Sequence, residues 1–474
     1  PPARKRKLSE IIAQTILDEI IADGWRTGTV LGTEPELTSR YEVSRATFRE
    51  AVRQLERHGA ANMKRGSGGG LIVAEPPKGA AMNAMTTFLQ LTNVSFADQH
   101  ELREQLEVTA ARLAAERLTP AAHDKLAAAI VDLDRAVTLP DQVAANMRVR
   151  TAVAESTNNP SLPVFLQALD SVLYQIVMVM STNAEQSRRD RELSALYKRN
   201  LVAAILKRDP YEAERLVRQD VQRRLLAMTN LITRAGDPIA IPPLDPLRPP
   251  DGQTPKLSET VARKIARDIA TAHMKEGQSL GNESELQERY KVSRAVLREA
   301  IRQLEPHGVV RTQSGFNGGL VVGQVEMDYT TNLVCLYLET TKIAVSHLWE
   351  IQSGLERYAA EKLARTCTAA DAESLRRCMD ELGTADALTF LPRSSRLHQA
   401  IATLTGNRAL ALFDGVLLRY GERVYPAVAP SSIPWLVRSH RNLVEAIVAH
   451  DEAAAGQAMA AIYERSRVWI TTAK

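Results

Sequence analysis

Six arginines on two short segments are the side chains best placed to act on a partner. In SRATFREAVRQLERHG (44–59) Arg45, Arg49 and Arg53 recur every fourth residue, and in SRAVLREAIRQLEPHG (293–308) Arg294, Arg298 and Arg302 do the same. Residues four apart share one face of a helix, so each segment predicts a cationic stripe. Phe48, Val52 and Leu55, and their counterparts Leu297, Ile301 and Leu304, fall on a separate apolar face. A guanidinium on the first turn of an exposed helix can bond guanine edges in pairs or bond phosphate. The plainer reading is a solvated basic face offset by Glu50 and Glu56. Retention of the same three arginines in both segments weighs against it.

The elements that hold these stripes are legible too. The segments are identical at twelve of sixteen positions with an offset of 249, and at eighteen of twenty-six when extended back to Glu34 and Glu283. That is a duplication of whole domains. Thr33 and Glu36 form a capping box around Pro35, which opens a short helix to about Tyr41. Glu42-Val43 makes a tight turn, Ser44 caps a second helix, and Gly59 ends it in a left-handed conformation. Asn282 is the corresponding cap in the second copy. An earlier helix runs from Ser9 to about Asp23, with Ile12, Ile16, Leu17 and Ile20 inward. This is the pattern of a helix-turn-helix.

After Gly59, AANMKRGSGGGLIVAE predicts a β-hairpin, or wing, ending in the strand Leu71 to Ala74, with Lys64, Arg65 and Gly66 at or near its tip. Its glycines do not make a phosphate loop, because no Gly-Lys-Ser/Thr closes the pattern. The second wing has Gln313 and Ser314 in place of Lys64 and Arg65 and keeps only Arg311 as a cation. The two wings are therefore expected to grip DNA unequally.

With 474 residues the chain exceeds one core, and with a net charge of +4 it is no polycation, so any nucleic-acid contact must come from local patches. Cys335, Cys367 and Cys378 show neither a metal-ligand spacing nor a disulfide framework, which suits a reducing cytoplasm. No signal-peptide pattern is present. The apolar run Val164 to Met180 is interrupted by Gln167, Asp170 and Gln175 and reads as a buried helix, so no membrane span is expected. Residues 1–7 form a basic arm.

From about Met82 to Arg234 the pattern is all helical. Helices are expected around His100–Arg117, Ala121–Val137, Gln142–Ser156, Pro163–Met180, Arg188–Lys207 and Tyr211–Thr233. Residues 236–255 hold seven prolines and read as a semi-rigid linker. The expected fold is mainly α. A winged helix-turn-helix (1–77) precedes an all-helical effector or dimerisation domain (78–235). After the linker, a second winged helix-turn-helix (256–325) precedes a second helical domain (326–474).

A winged helix carrying PELTSRYEVSRATFREAVRQLERHG, followed by an all-helical domain, resembles the GntR family of bacterial transcription regulators, FadR-type subgroup with the FCD effector domain. The resemblance covers nearly the whole chain as two complete copies. It implies DNA binding and a small organic acid as effector. The family's Arg-x-x-x-Glu on the first effector helix matches Arg103 and Glu107. The second copy has Glu350, Gln352 and Glu356, and so lacks the arginine. Many relatives hold a divalent metal with an Asp-x-x-x-His pair and two later histidines. Those positions correspond to Asn146, Arg150, Lys198 and Asp220 in copy one, where no metal is expected and Arg150 and Lys198 would bind a carboxylate directly. In copy two they correspond to Ser394, His398, His440 and Ile462. This two-histidine remnant stays open between weak divalent-metal binding, a vestige and a hydrogen-bonding pocket. Pro35 and Ser284 stand where relatives usually carry an arginine.

Such regulators dimerise to read two half-sites. This chain carries both halves, so the reading is a single-chain pseudo-dimer on an imperfect palindrome in double-stranded DNA, with further homodimerisation left open. By position, Arg45 and Arg294 contact bases, and Arg49 and Arg298 reach base or phosphate. Arg53 and Arg302 complete the stripes. Ser44, Thr47 and Ser293 bond phosphates, and Lys64 and Arg65 enter the minor groove or hold its backbone. Arg103, Arg150, Lys198, His398 and His440 are the effector-binding candidates. An architectural DNA-binding protein without small-molecule control is the alternative. No nucleophile–base arrangement supports an enzyme.

Overall fold

The computed structural model describes residues 8–472 except 58, 65, 67–68, 76–77, 92–93, 181–183, 236–255, 273, 314–318, 324–326, 342 and 426. The basic arm, Arg65, Ser314 and the proline-rich linker thus lie outside the described residues.

The first winged helix runs α1 (Leu8–Ala22), β1 (Val30–Gly32), α2 (Glu34–Arg40), α3 (Arg45–Arg57), β2 (Ala61–Lys64) and β3 (Gly70–Val73), and α4 (Lys78–Leu91) follows. The anticipated caps are in place. Thr33 N donates to Glu36 Oε2 at 2.8 Å, and Thr47 N donates to Ser44 Oγ at 3.1 Å. The turn between α2 and α3 is taken by Glu42 in the left-handed region, and Gly59 ends α3 at φ 67°.

The sheet is antiparallel in the order β1-β3-β2. Its first strand is a finding the sequence did not yield: three residues, Val30 to Gly32, too short to show alternation. β1 pairs with β3 through an irregular register. Gly70 makes that pairing fit, because a Cβ there would lie 2.5 Å from the Gly32 carbonyl oxygen. The wing glycine therefore serves strand approach. Ile12, Ile16, Leu17, Ile20, Leu37, Phe48, Leu55, Leu71 and Val73 form the core.

The second winged helix repeats this with α11 (Leu257–Thr271), β4 (Ser279–Gly281), α12 (Glu283–Tyr290), α13 (Arg294–Leu304), β5 (Val310–Gln313) and β6 (Gly319–Val322). Between the two winged helices run α5 (Phe96–Glu116), α6 (Pro120–Arg135), α7 (Leu139–Glu155), α8 (Ser161–Met180), α9 (Ala184–Leu206) and α10 (Pro210–Ala235). Asn282 caps α12, with its Oδ1 accepting from Glu285 N at 3.0 Å. Lys291 takes the left-handed turn position equivalent to Glu42. α13 ends at Leu304 and passes into a 3-10 turn, Glu305–His307, whereas α3 continues to Arg57. Pro306, which replaces Arg57, has no N–H to continue the helical ladder.

The rest of the chain is α14 (Met327–Thr340), α15 (Val345–Thr366), α16 (Ala369–Gly383), α17 (Phe390–Leu404), α18 (Arg408–Val424), α19 (Ile433–Val448) and α20 (Glu452–Thr472). Contacts divide the chain into two compact units. One holds the residues up to Ala84 with Asn332–Ile343, and the other holds Met85–Thr331 with Ala344–Lys474. Asn332–Ile343, which chain order groups with the second helical domain, thus packs with the first winged helix. There Leu336, fully buried, belongs to the same core as Ile16 and Phe48.

Within the second unit the two helical domains pack on each other through α5, α8, α15 and α18. The contacts come in matched pairs. Asn159 Nδ2 donates to the His347 carbonyl at 2.7 Å and to Glu350 Oε2 at 3.1 Å. Asn407 Nδ2 donates to the Asp98 carbonyl at 2.9 Å and to Glu101 Oε2 at 3.0 Å. The equivalent carboxylates Glu350 and Glu101 also each meet a cation across the interface, Arg117 and Lys362, from positions that are not themselves equivalent. Phe165 meets its counterpart Phe413 with ring centroids 5.1 Å apart, both fully buried. Reciprocal contacts between equivalent residues are the mark of an isologous interface. Among the described residues no helix is long and apolar enough to cross a membrane.

Candidate nucleic-acid interface and effector site

The two cationic stripes lie where the helical period puts them. Arg45, Arg49, Arg53, Arg294, Arg298 and Arg302 are all exposed, as are Ser44, Ser293, Lys64 and Gly66, while Thr47 is half-buried. Gly66 has φ 106°, which favours glycine at that place in the wing. Arg49 Nε bonds Glu34 Oε1 at 2.8 Å, and Arg298 Nε bonds Glu283 Oε1 at 2.7 Å. Glu283 also takes Arg294 Nε at 3.0 Å, whereas no ion pair or hydrogen bond joins Arg45 to another described residue. Hydrogen bonds from Arg298 and then Arg294 hold the Glu283 carboxyl below its ordinary range. Arg53 pairs with Glu50 and Arg302 with Glu299 on their own helices. Exposed pairs of this kind contribute about 0–1 kcal/mol, so a phosphate or base edge can replace the carboxylate at little cost.

In the first helical domain Arg103, Arg150 and Lys198 come together in a buried ionic network. Arg103 Nη1 bonds Asp170 Oδ1 at 2.7 Å and Glu107 Oε1 at 3.1 Å, and Arg150 Nε shares the same Asp170 oxygen at 2.9 Å. Lys198 Nζ bonds Asp220 Oδ2 at 2.9 Å. Arg224 Nη2 bonds Glu107 Oε2 at 2.6 Å, and Arg223 Nη2 bonds Asp220 Oδ1 at 2.8 Å. Burial alone would raise Glu107, but Arg224, Arg103, Lys198 and Arg150 pull it well below the usual carboxylate range. Asp220 is likewise lowered against burial, by Lys198, Arg224 and Arg223.

Among the described residues the buried cations Arg103, Arg150, Lys198 and Arg224 face the carboxylates of Glu107, Asp170 and Asp220, which leaves positive charge in excess in a poorly solvated interior. Uncompensated buried charge is expensive, and an anion would relieve it. Two groups are suited to meet one. Arg224 Nη1 and His100 Nε2 are buried without a hydrogen-bond partner among the described residues. Burial, then the charges of Arg224 and Arg103, lowers His100 to about 3, so its imidazole is neutral. Asn146, the remaining position of the relatives' metal set, instead accepts from Ser194 Oγ at 3.3 Å.

The second helical domain brings His398 and His440 together in a different chemistry. His440 Nδ1 lies 2.7 Å from the Leu436 carbonyl, to which it must donate. Its Nε2 is then an acceptor, 3.0 Å from His398 Nε2 and 3.0 Å from Ser394 Oγ. His398 therefore donates from Nε2 and accepts at Nδ1, where the neighbour is Glu356 Oε2. That carboxyl must carry a proton, and burial raises it to about 8. Burial also lowers His398 to about 4 and His440 to about 3. The result is a chain of neutral hydrogen bonds from Glu356 through two imidazoles to the backbone. It uses the imidazole lone pairs that a metal would need. Ile462 is buried near this region, and its neighbour Tyr463 bonds Glu356.

Asp170, Arg223 and Arg224 were not among the site residues expected from sequence, nor was Asp414, a buried carboxyl on α18 that burial and the neighbouring Glu356 push well above its ordinary range. The signal for Asp170 was a lone carboxylate inside an apolar helical run. Such a residue needs a buried cation.

The FCD domain profile matches residues 98–223 and 347–465, and the profile of the bacterial regulatory proteins of the gntR family matches 8–70 and 257–318. An HTH-type transcriptional regulator of Mycobacterium tuberculosis is 31% identical over 164 residues, 34% of this chain and 66% of its own length. The putative regulator RmpR of Mycobacterium gastri is 31% identical over 160 residues, 32% of this chain and 57% of its own. The chain thus spans less than two thirds of either mycobacterial relative. The regulator LutR of Bacillus subtilis is 26% identical over 202 residues, 41% of this chain and 91% of its own. A solved Streptococcus agalactiae GntR superposes on 47% of this chain and all of its own at 23% identity and TM-score 0.34, too loose to carry an argument.

Proposed function

Because the chain belongs to the gntR family of bacterial regulatory proteins, with an FCD domain in each of its two copies, we propose that it is a ligand-responsive transcription regulator acting as a single-chain pseudo-dimer. Its two winged helices read the half-sites of an imperfect palindrome in double-stranded DNA. The observation that carries this reading is the reciprocal contact set of Asn159 with Glu350 and Asn407 with Glu101. It supplies within one polypeptide the kind of interface that two subunits otherwise form.

Arg45 and Arg294 open the recognition helices and reach base edges. Arg49 and Arg298 reach base or phosphate, and Ser44, Thr47 and Ser293 bond phosphate. Lys64 serves the wing. The effector is a small organic acid held in the first helical domain by the cation excess around Arg103, Arg150 and Lys198. Ligand binding shifts DNA affinity only by its differential affinity for the two states of the regulator.

Sedimentation of the protein on a selected operator tests the pseudo-dimer, with one 52.2 kDa chain expected per duplex. Two chains on one palindrome would overturn it. Arg45→Ala is expected to cost about 1–3 kcal/mol and to relax selectivity at one base pair. For the effector, a thermal-shift screen of organic acids should find stabilisers, by about 2.7 kcal/mol at a hundred times Kd. Lys198→Gln should abolish the shift and His440→Ala should keep it. A screen without hits favours an architectural DNA-binding protein.

A further inference from the structure

We infer that Glu34 and Glu283 are positioning residues of the two reading heads: each holds one arginine of the stripe, Arg49 or Arg298, so that it reads a guanine edge and not a phosphate. The inference rests on the DNA-binding reading above and decides between the two contacts left open there for these arginines.

Both carboxylates sit on the first turn of the helix before the recognition helix, one residue after the caps Thr33 and Asn282. The capping boxes fix that turn, and a helix N-terminus favours an acidic side chain on it. From there each carboxylate meets its arginine side-on. Arg49 donates from Nε to Glu34 Oε1 at 2.8 Å and from Nη2 to Oε2 at 3.4 Å. Arg298 donates from Nε to Glu283 Oε1 at 2.7 Å and from Nη2 to Oε2 at 3.4 Å. Glu283 takes Arg294 Nε as well, and so steadies both arginines of its copy. The two copies differ at eight of the twenty-six positions between Glu34 and Gly59, yet both partners and both bonds are kept.

A guanidinium has five N–H donors, and a side-on pair occupies two of them. The remaining edge, with one N–H on each terminal nitrogen, is the fork that bonds guanine O6 and N7 together. The Arg49 and Arg298 side chains are 64% and 54% exposed, against 24% and 32% for Glu34 and Glu283, so the arginine is presented outward and the carboxylate lies behind it. A phosphate on the outer edge would lie close to that carboxylate and be repelled by it, whereas a guanine edge carries no charge. Displacing the carboxylate brings no relief, because it would be left unpaired beside a polyanion. A guanidinium already held in place also gives up less rotamer freedom on binding than a free one.

The test starts from duplexes selected out of a random library by the full chain, with each selected guanine then replaced by 7-deazaguanine, which removes the N7 acceptor. In each half-site one replacement is expected to weaken binding roughly tenfold. Arg49→Ala should abolish that effect in one half-site, which marks the half read by the first copy. Glu34→Ala should abolish it in the same half and leave the other unchanged. The freed arginine then bonds phosphate, so affinity for non-specific duplex should rise and its salt slope should steepen by about one counterion. Arg49→Ala should do neither. Glu283→Ala should act on the other half as Glu34→Ala does on the first. A glutamate with only a structural role would, when removed, weaken specific and non-specific binding together. That result, or a deazaguanine effect that survives Glu34→Ala, overturns the inference while leaving DNA binding intact. Failure of the unaltered chain to enrich any sequence overturns the DNA-binding reading itself.

Discussion

The interiors of the two helical domains descend from one sequence and now solve burial in opposite ways. Around Arg103 the first holds ionised groups with cations in excess. Around His398 the second holds two neighbouring buried carboxyls, Glu356 and Asp414, both pushed toward the protonated form by burial, and two neutral imidazoles. Arg150 and Lys198 give way to His398 and His440, and Arg103 in the first copy stands where Gln352 does in the second, where it meets Tyr425. Ionised groups in a low dielectric need a counter-ion, whereas neutral donors and acceptors need only each other. The first interior therefore carries net charge that the second avoids by keeping its groups neutral.

The largest effect that would break this contrast comes from the same change made in both places. Asp170→Asn removes the acceptor shared by Arg103 and Arg150 and should cost about 3–5 kcal/mol in denaturant unfolding. Glu356→Gln keeps a neutral donor for His398 and should cost less than about 1.5 kcal/mol. Equal losses would show the two interiors to be electrostatically alike.

A smaller effect comes from pH. The folded-state value of Glu356, about 8, lies above the ordinary 4.5, so the folded protein keeps a proton that the unfolded chain releases. Its contribution is complete below pH 4.5 and is lost as pH rises toward 8. His398 and His440, lowered from 6.5 to about 4 and about 3, act in the other direction, but only below about pH 6.5. Between pH 6.5 and 8 the second helical domain should therefore lose stability, by at most about 1.4 kcal/mol per pH unit for one proton. Thermal unfolding across that range should show the decline, and Glu356→Gln should reduce it. A slope unaltered by the substitution would assign the proton elsewhere.

The smallest expected difference lies in the wings. Lys64→Ala should weaken binding to all sequences alike and lower the salt dependence of affinity by about one counterion. Gln313→Ala at the matching place should leave the salt slope unchanged. Loss of slope in both would make the wings equivalent.

The winged helices were readable because their determinants are local: caps at Thr33, Ser44 and Asn282, a turn, and an arginine every fourth residue. The helices of the two larger domains followed from apolar periodicity. β1 and β4 escaped because three residues show no alternation, and their existence depends on glycine at 70 and 319 admitting a second backbone. The membership of Arg103, Arg150 and Lys198 in one place came through family resemblance. The partners Asp170, Arg223 and Arg224 belong to other helices, and no spacing in the chain announces which buried charges will meet. For the same reason the reciprocal pairing of Asn159 and Asn407 was invisible: each reads as an ordinary helix cap.

Leu336 has a consequence for how the molecule can be taken apart. It is supplied by the later half of the polypeptide to the hydrophobic centre of the first winged helix. A fragment ending at the proline-rich stretch would lack that filler, and the vacated slot would expose apolar surface of the kind that drives self-association. The gene segment for the first copy is thus no longer a self-sufficient regulator, and the fusion has become difficult to reverse.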